Sequence, residues 1–209
     1  DDQIVAVGGS ELSSKLGDAK IIDAKGKVLT PGFVASDVAL GLVEIGMESS
    51  TRDDSRDDEQ LVRAGYDPSP GINADSSLIQ VQAIEGITNA AVAPSGGLLS
   101  GQVTWIDLLE HDHVNIVAEP NVAVDGSLGQ SVQGSRAAAI SALRQTLEDA
   151  RFYRRSKAAF DRGSSRKLVA HPIDLRALFP VLDRKVPLTM RADRASDMLA
   201  LLAVAEEFK

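Results

Sequence analysis

Lys20-Ile21-Ile22-Asp23-Ala24-Lys25-Gly26-Lys27-Val28-Leu29-Thr30-Pro31-Gly32-Phe33-Val34-Ala35-Ser36 is the stretch from which the fold is read. Lys20 to Ala24 and Val28 to Thr30 are β-prone runs joined by a turn at Lys25-Gly26-Lys27. Pro31-Gly32 then breaks the pattern, because proline removes a ladder donor and glycine supplies turn conformations. Phe33 to Ser36 restarts it as an apolar run, expected to be a buried strand. Upstream, Gln3 to Val7 ends at Gly8-Gly9 in the same manner. Residues 1–30 are therefore expected to be part of a small β-sheet, separate from the rest of the chain.

Downstream, residues 49–77 are polar. Ser49 to Asp58 holds four Asp and two Arg, and Pro68, Pro70 and Gly71 come after it. Such a tract is expected to be a long surface loop that contributes nothing to a core. Ser77 to Glu85 is expected to be a short helix, with Leu78, Val81, Gln82 and Glu85 at helical spacing and Gly86 as its stop. Ile87 to Ala93, Gly101 to Leu108 and Val114 to Val124 read as strands. This strand–helix–strand rhythm favours a parallel sheet with crossovers. Ser135 to Arg155 is the clearest helix: Ile140, Leu143, Leu147 and Ala150 form one stripe, Ser135 can cap it, and Gly163 ends the basic tail. Pro172 to Leu182 reads as a helix and Val186 to Arg191 as a strand. Ser196 to Phe208 reads as a last helix, with Met198, Leu201, Leu202 and Ala205 on one face.

Composition bounds the function. The chain has 209 residues, 44% hydrophobic and 25% charged, enough for a globular core. It has no cysteine, which excludes disulfides, thiolate metal sites and cysteine nucleophiles. A net charge of -8 argues against nucleic acid as a partner. No stretch approaches 18 apolar residues, so no membrane span is expected. The chain opens Asp1-Asp2-Gln3 with no signal-peptide pattern after it. The natural N-terminus is read as missing, and cytoplasm and periplasm fit equally.

At Asp23 to Val34 the chain resembles the amidohydrolase superfamily, in particular its imidazolonepropionase-related branch. The likeness continues at Gly71-Ile72-Asn73-Ala74-Asp75-Ser76, at Gly86-Ile87-Thr88, through Val92 to Gln102, and again from Leu182 to Leu199. The resemblance implies an α/β fold: a partial (β/α)8 TIM-type barrel over residues 31–209, preceded by a remnant of a small β-sandwich domain over residues 1–30. The chain after residue 30 falls short of the ~250 residues of a complete barrel, so it reads as a fragment. A complete small α/β domain is the alternative.

The resemblance also implies hydrolysis of C–N bonds in amides and cyclic amides, with zinc or a similar divalent metal as cofactor. Such an ion makes hydroxide from bound water at neutral pH. The family holds it with a His-x-His pair at the end of the first barrel strand, where i and i+2 share a face. Here those positions fall on Asp37 and Ala39. Ala39 has no ligand atom, so Asp37 is the metal candidate that is left. A later histidine position is Arg191, whose guanidinium cannot ligate a metal. Arg191 is instead a candidate to bind a carboxylate or phosphate, or to pair with Asp37 across the barrel mouth. Ser95, Gly96 and Gly97, in a Gly-rich turn after a strand, are the other substrate-binding candidates; the turn lacks the Lys-Ser/Thr of a P-loop. No catalytic residue is assigned.

Other features have plainer readings. His111-Asp112-His113 is read as an exposed turn, with chance metal binding as the alternative. His171 before Pro172 is read as a helix cap, Glu119 as a strand-end charge, and the basic run Arg151 to Lys167 as a solvated face. Three functions stay open. One is an amidohydrolase-like protein with a degenerate metal site that binds a small amide-like ligand. Another is an active single-metal hydrolase with non-standard ligands. The third is a non-catalytic subunit that forms an oligomer or serves a paralogue.

Overall fold

A computed structural model describes residues 3–9, 11, 12, 17, 19–56, 59–129 and 134–209. The chain divides into a segment, Asp1–Pro31, and a body, Gly32–Lys209. Among the described residues of the segment no strand forms, so the expected β-sandwich remnant is not built there. Ile4, Val5, Val7, Ile21, Ile22, Val28 and Leu29 stay exposed. Alternating sequence makes a strand only when a neighbour takes up its backbone groups.

The body is one curled, mixed sheet in the order β1 (Phe33–Val38), β2 (Ile87–Val92), β3 (Leu99–Asp107), β4 (Val117–Ser127) and β5 (Leu188–Arg191). This overturns the expected partial (β/α)8 barrel. β1–β2 and β4–β5 are parallel, but β2–β3 and β3–β4 are antiparallel. The connections explain the difference. Ala93–Leu98 and Leu108–Ile116 are shorter than the dozen or so residues that a parallel crossover needs. Only the two parallel pairs have room for helices: α1 (Ser77–Ile84) before β2, and α2 (Arg136–Asp161), α3 (Pro172–Ala177) and α4 (Phe179–Leu182) before β5. α5 (Ala195–Glu207) comes after β5.

Two larger apolar clusters hold the sheet. In one, α2 buries Ile140, Leu143, Leu147 and Ala150, the stripe expected from its sequence, against Leu98, Leu99 and Val124. Ser135 caps this helix by accepting from the Ala138 amide at 3.2 Å, and Gly163, at φ 71°, closes its tail. The other cluster joins Leu42, Ile79, Val92, Ile106 and Ile116. Here α1 is anchored by Ile79, while Leu78 and Val81 on the expected face remain exposed. α5 likewise packs through Val204, with Met198, Leu199 and Leu202 turned out. Phe33 and Val34, expected to be buried, are exposed on the edge strand β1. Among the described residues, no helix is long and apolar enough to cross a membrane.

The polar tract 49–77 is not a solvated loop. Val62, Ala64, Ile72 and Ala74 are core residues, each pair spaced i, i+2. The tract is stitched to the sheet by Arg63 N to Leu99 O at 2.9 Å and Gln102 N to Tyr66 O at 2.8 Å, and to the turn after β1 by Asn73 N to Gly41 O at 2.9 Å. Sparse apolar residues suffice because the backbone donors have partners. Leu143→Ala is expected to cost about 2–5 kcal/mol, whereas Leu199→Ala on the open face of α5 stays within about 0.5 kcal/mol. Urea unfolding of both variants measures the contrast, and equal losses would refute the packing of α2.

Candidate functional site

Alternation along the strands builds a pocket on the concave face. Successive side chains point to opposite sides. Ala91 and Ala93 on β2 and just beyond it, Val103 and Trp105 on β3, Ala123 and Asp125 on β4, and Thr189 and Arg191 on β5 face inward. Their neighbours Ala90, Val92, Ile106 and Val124 face the apolar clusters on the other side. The alanines leave a cavity of about 400 Å³.

The ladder between β1 and β2 shifts register between Ser36 and Val38, which makes Asp37 the extra residue of a bulge at φ 59°. Aspartate tolerates this left-handed conformation better than most side chains, and a bulge re-aims a side chain at a strand end. Both Ser36 and Asp37 therefore line the cavity.

Arg191 ends β5, the opposite edge of the sheet from β1. Its Nε donates to Asp37 Oδ2 at 2.7 Å and Oδ1 at 2.9 Å, and its Nη2 donates to Oδ1. The pairing expected from the sequence is thus present, and it links the first and last strands. Arg191 Nη2 also lies 3.7 Å from Asp125 Oδ2. Hydrogen bonds from its guanidinium to Asp37 hold Arg191 still more firmly protonated.

Asp125 is the residue that the sequence reading missed. It is 3% exposed and accepts Thr189 Oγ1 at 2.9 Å on Oδ1, while its Oδ2 accepts no hydrogen bond. Burial pushes its carboxyl pKa up, and Thr189, Arg191 and Ser100 offset this only in part. The available signal was phase: Asp125 is two residues after Ala123, on the inward side of the apolar run that the sequence reading ended at Val124.

The residues present do not fit a divalent metal. Ala39 offers no donor, both Asp37 oxygens face a guanidinium, and that guanidinium lies between Asp37 and Asp125, where a bound ion would meet a like charge. Among the described residues, no group of three or more His, Asp or Glu converges on a metal position.

The Gly-rich turn lies apart from this cavity. Ser95 Oγ donates to Asp54 Oδ2 at 2.7 Å, and the Ser95 and Leu98 amides donate to the carbonyls of Asp54 and Leu61 at 2.7 and 2.8 Å. Gly97, at φ 73°, sits where a Cβ would meet Leu61 O at 2.7 Å. The turn clamps the polar tract, and these amides already have acceptors. Burial pushes the Asp54 carboxyl up, but hydrogen bonds from Arg52 and Ser95 outweigh it and hold its pKa below the ordinary value.

The histidine and Glu119 readings fit the geometry, whereas the basic run, expected to be a solvated face, does not. His171 Nδ1 accepts from the Ile173 amide at 3.3 Å as a cap, and Glu119 is exposed. The basic run is engaged within the fold: Arg154 pairs with Asp183 at 2.7 Å, Arg166 with Asp149 at 2.5 Å, and Arg151 lies over the Phe208 ring. His111 and His113 lie on an exposed turn against Asp75, at 2.7 and 3.1 Å.

No family profile matches the chain, and no curated protein matches it. Among solved structures, the crystal structure of an amidohydrolase from Thermotoga maritima MSB8 is similar, at 22% identity and a TM-score of 0.76. The match covers 92% of this chain and 52% of that one. At this identity the likeness is one of fold, and the chain spans about half the length of that protein.

Two titrations test these environments. The folded chain holds the Asp125 proton more tightly than an unfolded chain, whose carboxyl titrates near 3.8. That contribution to stability is full below 3.8 and is lost as pH rises through the raised folded value. Asp125→Asn should flatten the resulting fall in unfolding free energy, measured by urea melts at stepped pH. The hydrogen bond to Asp75 raises the His111 pKa above 6.5. In an NMR titration, Asp75→Asn should bring the His111 midpoint down, and an unmoved midpoint would contradict the contact.

Proposed function

We propose that this chain is amidohydrolase-like and that its cavity beneath Asp37 and Arg191 binds a small, neutral, amide-like molecule without a histidine-held metal. The observation that carries the reading is the charge balance of the cavity. Arg191 is matched by Asp37 and contacts Asp125, so the three groups sum to zero or to minus one, depending on the Asp125 proton. A free carboxylate or phosphate finds no unbalanced cation there, whereas a planar amide finds donors, acceptors and the Trp105 ring in one small space. Relation to hydrolases of C–N bonds is supported by the fold likeness to the Thermotoga amidohydrolase. The residue pattern from Asp23 to Val34 and from Val92 to Gln102 supports the imidazolonepropionase-related branch.

A second reading, a non-catalytic partner subunit, is supported by the exposed Met198, Leu199 and Leu202 on α5. Sedimentation equilibrium tests the self-associating form of this second reading, which requires a mass above that of one chain.

Trp105 is the chain's single tryptophan and lines the cavity, so its fluorescence reports occupancy. Titration with small amides, cyclic imides and N-acyl amino acids should give a saturable change with the neutral compounds and a weaker one with the anions. Ala91→Leu, which fills the cavity, should abolish it. No saturable change with any of these compounds, or a change that survives Ala91→Leu, refutes the reading.

A further inference from the structure

We propose that Arg191 is the resident cation of this site: its guanidinium fills the place between Asp37 and Asp125 that a divalent ion would take, and a chain lacking it binds such an ion there. The geometry of three side chains carries this, independently of amide binding.

Two carboxylates from different strands approach one guanidinium. Asp37 meets it at 2.7 and 2.9 Å and Asp125 at 3.7 Å. Asp125 carries the independent sign of a binding position. It is buried, it lines the cavity, and its Oδ2 accepts no hydrogen bond and has Arg191 as its charged neighbour. Such an oxygen is costly unless a cation compensates it. The bulge at Asp37 holds the second carboxylate at the cavity by a backbone conformation that remains when Arg191 is altered. Thr189 Oγ1, 2.9 Å from Asp125 Oδ1, adds a neutral oxygen. An all-oxygen set of two carboxylates, a hydroxyl and water suits manganese, magnesium or calcium rather than zinc. The native chain satisfies the same electrostatic demand with an arginine, which never deprotonates and needs no supply from solution.

The test titrates manganese(II) into the full chain. Bound equivalents are counted by loss of the free-ion EPR signal, and position is read from quenching of Trp105. The native chain should show no saturable quenching. Arg191→Ala and Arg191→Gln should each bind one equivalent that quenches Trp105. Their affinity should exceed that of the native chain by on the order of a hundredfold, the scale of removing one like charge at about 4 Å. Arg191→Lys, which keeps the charge, should stay unquenched, and adding Asp125→Asn to Arg191→Ala should abolish the gain. Far-UV circular dichroism establishes that each variant is folded. Saturable quenching of the native chain at the concentration that serves Arg191→Ala overturns the proposal, as do folded variants that gain no site. Where Arg191→Ala does not fold, the closer replacement Arg191→Gln decides. Amide titration of the native chain is read separately, so loss of either reading leaves the other standing.

Discussion

Arg191 reaches from the last strand of the sheet to Asp37 at the end of the first, and the site is organised around that contact. A curled sheet of five strands has two edges. Their ends meet here through a planar fork against a carboxylate, a pairing that fixes orientation as well as attraction. The pair is half-exposed, so its worth in stability is modest, of the order of 1 kcal/mol. Its larger effect is positional. It roofs a cavity walled by small residues and holds a permanent charge beside a buried acid.

Much of this was legible in the sequence, for identifiable reasons. α2 was readable because its stripe from Ile140 to Ala150 and its Ser135 cap are local signals, and local signals survive tertiary packing. The Asp37–Arg191 pair was readable because both residues break a recognisable pattern at strand ends. The sheet's direction was not. Apolar periodicity is the same for parallel and antiparallel strands, so only the short connections Ala93–Leu98 and Leu108–Ile116 carry that information. The tract from Ser49 to Ser77 was misjudged because its average polarity hides two i, i+2 pairs, Val62 with Ala64 and Ile72 with Ala74, that join the core. Asp125 escaped because a carboxylate at the end of an apolar run looks like a strand end. Its burial depends on Thr189 and Arg191, more than sixty residues away.

The cavity and the Gly-rich turn show how similar motifs can be turned to different uses. At the Gly-rich turn the Ser95 hydroxyl and the Ser95 and Leu98 amides bind Asp54 and Leu61, fastening the polar tract to the sheet. In the cavity the reverse holds: small side chains and one unsatisfied carboxylate oxygen leave room and a demand for polarity. A site's chemistry is set by which of its groups the fold has already satisfied.

Position 191 has a consequence in the language of codons. Arginine triplets such as CGU and histidine triplets such as CAU differ by a single base. Where the arginine is spelled CGU or CGC, a chain with a fixed guanidinium at the end of its last strand and a chain with an imidazole there are neighbours in mutational space. The bulge at Asp37 and the buried Asp125 need not change between them, so the same scaffold lies within one substitution of a different electrostatic identity.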